Sequence, residues 1–303
     1  MLGKGGVGKS TVAAALGLAT ARAGRRALVI EVAGQERLSR LFRGASVGHE
    51  TPVELAPGLF GLQIDVEHSI EDYLTGQLKL RPLVELLTRS RAFHTFAAAA
   101  PGLPELVTVG VIWTHAVALH EDRRPVWDYL VVDCPATGHG IALLETAGNV
   151  EAIAGSGPIR DQAARIQEVV THPAATGVAI VARPEELAVA EAIEAAGALR
   201  ERGMPVAAAV LNGVRDPRFR PDEEPALAAL AATRDGPVSR AAAAGLRHLA
   251  DQRSDDEYRR RLAEGTGLPV LELPELVRRR FDLRAVEDLA GSLADAVSRN
   301  GRP

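Results

Sequence analysis

The residues best equipped for chemistry lie at the amino end. Gly3-Lys4-Gly5-Gly6-Val7-Gly8-Lys9-Ser10 fits the pattern G-x-x-x-x-G-K-[ST] and runs directly into a helix-forming stretch beginning Thr11-Val12-Ala13-Ala14. Glycines let the backbone curl so that successive N–H groups point at phosphate oxygens, and the helix behind them adds the partial positive charge of its amino end. In such a loop Lys9 would reach the β- and γ-phosphates of a nucleoside triphosphate, and the Ser10 hydroxyl would ligate Mg²⁺. The candidate phosphate-binding set is therefore Gly3, Gly5, Gly6, Val7, Gly8, Lys9, Ser10 and Thr11. Lysine usage sharpens the point: Lys4, Lys9 and Lys79 are the only lysines among 35 basic residues, and two of the three sit in this loop.

A second candidate is Asp133, which closes the apolar run Tyr129–Val132 and so falls at the carboxyl edge of a strand, where ligands of open α/β sheets bind. Beside a phosphate loop, a carboxylate placed there would hold Mg²⁺, through water. Glu31 ends another apolar run, where its carboxylate reads by itself as a cap for the helical segment after it. Asn212 follows a further apolar run and reads by itself as a turn former.

These residues need a scaffold, and hydrophobic periodicity supplies one. Short β-rich runs at Ala27–Val32, Leu59–Asp65, Tyr129–Asp133, Gly177–Ala182, Val206–Asn212 and Leu268–Leu273 alternate with Ala/Leu/Glu/Arg-rich stretches, the signature of an α/β sheet. Most are continuously apolar, as parallel strands covered on both faces are. Helices are expected at Ser10–Ala23 and Pro184–Arg202. The expected architecture is a single P-loop domain over residues 1–303: a mostly parallel twisted sheet flanked by helices, with helical insertion segments near 69–123, 143–172 and 215–264. The end of the chain from Ser298 is expected to fray. The loop motif normally follows a strand, yet only Met1-Leu2 precede Gly3, which favours a first strand upstream of Met1 over a sheet that lacks it.

Composition narrows the function classes. The chain has 303 residues, 47% hydrophobic and 24% charged, so wholesale disorder is excluded. A formal charge of −4 gives no basic field for nucleic acid or anionic lipid. No apolar run is long enough for a bilayer span and no signal peptide opens the sequence, so a cytoplasmic location and no stable membrane insertion are expected. Cys134 is the only cysteine, which rules out an intramolecular disulfide and a thiolate metal site within one chain. The eight histidines lack metal spacing; His68, His115 and His120 read as surface residues. Arg259-Arg260-Arg261 and Arg278-Arg279-Arg280 have acidic neighbours and no interleaved aromatics, so they read as solvated helix faces.

The extra lysine, Lys4, makes the loop a G-K-G-G-x-G-K-[ST] variant, and here the chain resembles the deviant Walker A ATPases, a class that includes ArsA, MinD, ParA and the nitrogenase iron protein. Asp133-Cys134-Pro135-Ala136-Thr137-Gly138-His139-Gly140 is similar to the D-T-A-P-T-G-H-T switch II of the ArsA and tail-anchored-protein-targeting branch. Further segments resemble that branch in order: Ala100–Leu106, the Pro184-Glu185-Glu186 opening, Leu211–Val214, and Leu271-Glu272-Leu273-Pro274-Glu275 beside the base. The likeness runs from Gly3 to about Leu289 and is closest to actinobacterial ArsA-like proteins, which share the E-V-x-G and L-E-L-P wording.

The resemblance implies an ATP-binding, Mg²⁺-dependent ATPase acting as a nucleotide-driven dimeric switch on a client protein. Lys4 would cross the dimer interface to the partner's nucleotide, the Gly138 backbone N–H would approach the terminal phosphate, Asn212 and Pro274 would face the adenine, and His139 would act as a sensor. The partner would be a second copy or a paralogous subunit. The pattern also departs from that branch. Its switch I begins D-P-A-H, with the Asp positioning attacking water, whereas here Glu31-Val32-Ala33-Gly34 stands; by resemblance Glu31 would orient that water or contact the metal shell, on a carboxylate stem longer by about 1.5 Å. The chain has no cysteine ligands for arsenite and no C-x-x-C zinc pair, and of methionine it has only Met1 and Met204, so neither arsenite export nor membrane-protein targeting is assigned. Two alternatives follow: a regulatory nucleotide-binding subunit with weak hydrolysis, and a MinD/ParA-like positioning switch. The second is disfavoured because Val286–Val297 carries acids and no Lys or Arg.

Overall fold

A computed structural model describes residues 1–32, 36–42, 46–49, 51–65, 69, 102–234 and 236–300. Ala33-Gly34-Gln35, His68, Lys79 and most of the first insertion segment, including Ala100-Pro101, lie outside the described residues.

The elements in chain order are α1 (Lys9–Arg22), β1 (Ala27–Glu31), α2 (Arg37–Leu41), β2 (Val53–Ala56), β3 (Leu59–Gln63), α3 (Leu103–Ala116), β4 (Tyr129–Asp133), α4 (Thr137–Ile153) and α5 (Pro158–Thr171). They continue with β5 (Val178–Ala182), α6 (Glu186–Glu201), β6 (Val206–Val214), a 3₁₀ turn (Pro221–Glu223), α7 (Glu224–Ala231), α8 (Pro237–Thr266), β7 (Val270–Pro274) and α9 (Leu283–Asn300). The molecule is an α/β protein with a mostly parallel sheet flanked by helices. All six expected strands form.

The strand that periodicity overlooked is β2. It pairs antiparallel with β3 at the sheet edge and its residues are half-buried or exposed, so it carries no long apolar run. The stretch expected as one helical segment from 143 is two helices, since α4 ends at Ile153 and α5 restarts at Pro158, where proline suits a first turn. At the far end, α9 remains helical through Asn300, past the point where fraying was expected.

The strands form two blocks, β2-β3-β1-β4 and β5-β6-β7. Met1-Leu2 lie in the seam between them. Leu2 N–H donates to Ala179 O and its carbonyl accepts from Val181 N–H, in a parallel bridge to Ile180. On the other side the Met1 nitrogen donates to Val132 O and the Met1 carbonyl accepts from Cys134 N–H. These two residues thus run as a short strand between β4 and β5, in the slot that precedes a phosphate loop.

β1 is buried at all five positions between β3 and β4, and α1 packs over β1 and β4 with α9 alongside. A single apolar cluster links Leu2, the α1 alanines and Val12 to Ile180 of β5, Leu211 of β6 and Leu289 of α9. That common core fixes the strand ends that carry the candidate site. α3 packs on α4 and α4 on α5, α7 lies along α8, and α8 rests against α6 and β6. Among the described residues no helix is long and apolar enough to cross a membrane.

One buried acid anchors α8. Asp255, 3% exposed, accepts from Arg215 N–H at 3.0 Å and from the Arg215 guanidinium at 2.5 Å, just beyond β6. Asp255→Ala is expected to lower unfolding free energy by about 2 kcal/mol in urea titrations, because a buried backbone donor loses its acceptor. The arginines of 259–261 are also engaged: Arg259 pairs with Asp256 and Glu272, Arg260 with Glu257, and Arg261 with Glu186.

Candidate functional site

The glycine-rich loop follows the Met1-Leu2 strand and turns into α1 at the carboxyl edge of the sheet. Two glycines are required by geometry. Gly3 has φ +148°, and a Cβ on it would stand 2.2 Å from Val181 O. Gly8, the residue before α1, is left-handed at φ +94°, and a Cβ there would meet the Asn212 amide nitrogen at 2.3 Å. At these two positions the loop is pressed against the ends of β5 and β6 with no room for a side chain.

No side chain caps α1, and no acid lies in its first turn. The first-turn amides of Lys9, Ser10 and Thr11 have no intrahelical acceptor, which is the local basis of an anion site. Lys9 Nζ folds back onto the loop, donating to Gly3 O at 2.9 Å and Lys4 O at 3.0 Å. Only 5% of Lys9 is exposed, and burial pushes its ammonium pKa down; the nearby Asp133 opposes that shift and Arg37 adds to it.

Asp133 ends β4 opposite Glu31 of β1, in direct register. It is 6% exposed, and burial raises its carboxyl above the ordinary range, against the Ser10 hydroxyl that hydrogen-bonds to it. Its Oδ1 has no partner among the described residues. A buried carboxylate oxygen left without a donor beside a serine hydroxyl suits a hard cation and its waters. The donor set at this edge therefore fits Mg²⁺ held by Ser10 and Asp133, with phosphate on the loop amides and Lys9.

The remaining predicted residues fall at the same edge. Gly138 lies in the exposed first turn of α4, which begins just after Ala136, so its amide belongs to the unsatisfied set of that turn. Asn212 Nδ2 donates to Val7 O at 2.8 Å, bracing the loop from β6. Pro274 ends β7 beside Val214, in the register that pairs Asn212 with Leu273. Lys4 reaches Glu191 of α6 in its own chain at 2.8 Å, an ion pair with both side chains substantially exposed. His139 is exposed, next to Gly138.

Glu31 is 1% exposed and uses both oxygens locally: Oε1 accepts from Arg37 N–H at 3.1 Å and Oε2 from Leu38 N–H at 3.4 Å. The carboxylate is capping α2. One residue in this site escaped sequence reasoning: Arg37 Nη1 donates to Ser10 Oγ at 2.7 Å. Nothing in composition singles out an arginine in a chain where arginine is the common base, whereas scarce lysine marked the loop.

Comparison with known proteins adds to this geometry. The family model described as "Anion-transporting ATPase" matches residues 1–157 of the 303. The chain is 31% identical over 214 residues to ATPase BagA of Mycobacterium tuberculosis, covering 69% of this chain and 63% of that one. It is 26% identical over 236 residues to the arsenical pump-driving ATPase of Escherichia coli, covering 70% and 38% respectively. An arsenical pump-driving ATPase of Acidiphilium multivorum matches at 27% over the same length. The chain spans 63% of the length of the mycobacterial relatives it matches.

Proposed function

The chain belongs to the anion-transporting ATPase family, and from that premise we propose that it binds ATP with Mg²⁺ in the Gly3–Thr11 loop, hydrolyses it, and serves as a nucleotide-driven dimeric switch on a client protein. The observation that carries the reading is the pairing of an uncapped, acid-free α1 amino end with a buried, partnerless Asp133 oxygen at one sheet edge.

In this reading the loop amides and Lys9 bind the phosphates, and Ser10 and Asp133 hold the cation. Mg²⁺, when bound, neutralises charge that builds on the transferring phosphoryl oxygens. Lys9 has two carbonyls to leave before it can face a phosphate, and its low exposure strengthens that contact once made. The Gly138 amide, from the open turn of α4, is offered to the terminal phosphate. Asn212 keeps the loop in shape through Val7 and, with Pro274, borders the place for the base. Phosphoryl transfer to water needs positioning and charge stabilisation more than covalent help, so these contacts suffice for the chemistry.

Lys4 is proposed to serve a partner's nucleotide. Its pair with Glu191 is a surface contact worth about 0–1 kcal/mol, small enough to be exchanged for a phosphate contact across a dimer. The helical segments α3–α5 and α7–α8 are the proposed client-facing part, attached to the single nucleotide-binding domain.

Titration calorimetry with ATP and Mg²⁺, alongside light-scattering mass with and without nucleotide, tests the proposal. Uptake of one nucleotide per chain and a doubling of mass with ATP are expected. No heat of binding would refute it.

A second reading, a nucleotide-binding regulatory subunit with weak hydrolysis, is favoured by one observation: Glu31, the carboxylate at the switch I position, is occupied by two amides of α2. Turnover abolished by Glu31→Ala with binding intact would favour the first reading over this one.

A further inference from the structure

The turn after β5 lays a cation flat against the end of β6. Arg183 follows the last residue of β5, and the buried Pro184 turns the chain so that Glu185 N–H donates to Arg183 O at 2.7 Å. The Glu185 carboxylate in turn accepts from Arg183 Nε at 2.9 Å, and the guanidinium lies over the neighbouring strand end. There it covers Gly213: a Cβ on that residue would stand 3.4 Å from Nη1, 3.5 Å from Cζ and 3.6 Å from Nη2. An edge-on fork would bring its two nitrogens closer than the carbon between them. Near-equal distances mean that the plane faces the backbone.

The place matters as well. Gly213 lies between Asn212 and Val214, and the register of β6 with β7 pairs Asn212 with Leu273 and Val214 with Pro274. Arg183 therefore reaches from β5 into the row at the carboxyl edge where Asn212 and Pro274 stand. This row adjoins the phosphate loop, since Val181 O abuts Gly3 and Asn212 donates to Val7 O. The Arg183 side chain is 37% exposed, with one face on backbone and Nε engaged. A guanidinium held in this way offers its second face, which is weakly hydrated and suited to an aromatic ring.

Resting on the reading of Asn212 and Pro274 as the border of the base, we infer that Arg183 is a further nucleotide-binding residue, its outer guanidinium face stacking on the purine ring while Gly213 supports the inner one. The contact is to the base and not to phosphate, so it strengthens ATP and ADP alike and keeps the base seated through turnover. Stacking engages a π-face rather than a pattern of donors and acceptors, so it adds affinity without choosing between purines.

Calorimetry on the full chain, with Mg²⁺ and either ADP or inorganic pyrophosphate, tests the inference on wild type, Arg183→Lys and Arg183→Ala. Pyrophosphate fills the loop without a base, so the ratio of the two affinities separates the base contact from any general loss of charge. That ratio should fall about fivefold in both variants, because lysine keeps the charge and loses the plane. Circular dichroism establishes that each variant is folded; should Arg183→Ala not fold, Arg183→Lys carries the comparison. A ratio unchanged in Arg183→Lys would overturn the assignment. Wild type that binds pyrophosphate as tightly as ADP would overturn it together with the placing of the base at Asn212 and Pro274. Wild type that binds neither ligand would instead sink the reading of the loop itself.

Discussion

Lys9→Ala is expected to lower ATP turnover about a thousandfold, the scale on which loss of one preorganised donor to a developing oxyanion is felt in a desolvated site. The argument is geometric. Lys9 Nζ lies within the loop on Gly3 O and Lys4 O, and the ammonium is almost fully withdrawn from water. Its charge is therefore poorly screened, and among the described residues no other lysine is near to replace it except Lys4, which is drawn to Glu191. The fold should survive. Burial already disfavours the ammonium, as the downward shift of its pKa records, so alanine removes a costly charge and leaves two carbonyls at a partly open loop. Phosphate release and thermal melting, measured together, check both halves. A variant that keeps turnover within a few fold of wild type would contradict the assigned role, and one that fails to fold would contradict the argument on stability.

Asp133→Asn is expected to cut Mg²⁺-dependent turnover about a hundredfold and at the same time to stabilise the nucleotide-free protein by about 1 kcal/mol near neutral pH. The two effects have one cause. Burial raises the Asp133 carboxyl pKa, so the folded chain holds that proton more tightly than the unfolded chain does. Folding gains fully from this below the ordinary carboxylate range and loses the gain as pH rises through the raised value. An ionised Asp133 is a charge in a dry place with one oxygen unpartnered among the described residues. Asparagine keeps the shape and sheds the charge. Melting curves should show the variant above wild type at pH 7.5, with the gap closing as pH falls toward about 4. A variant that melts below wild type at neutral pH would show that Asp133 is not strained in this way.

The sequence displayed the elements of this site unevenly, for physical reasons. Strand ends were readable because β1 is buried at all five positions and β4, though less covered, is apolar until it reaches the sheet edge; the first polar residue after the run, Glu31 or Asp133, marks that edge. The loop was readable because its glycines answer a backbone requirement that no other residue meets at Gly3 and Gly8. What Glu31 does was not readable. A carboxylate at a strand end serves water, metal or a helix amino end equally well on paper, and only the placement of α2 directs it to two amides. Arg37 was hidden for the same reason, since its meeting with Ser10 depends on how far the chain turns after β1. Asn212 shows a third case: the strand-end position was evident, but its use as a brace on Val7 O depends on the depth at which the loop sits between β5 and β6.

The seam at Met1-Leu2 has a mechanical consequence. Met1 and Leu2 hydrogen-bond to the β1–β4 block on one side and to the β5–β7 block on the other, and side chains of α1 and α9 join the same core. The phosphate loop is the segment that leaves this seam. Deuterium uptake at Val181 and Cys134, whose amides close the seam, should slow when the loop is filled, because grip on a ligand from both sides would stitch the blocks together.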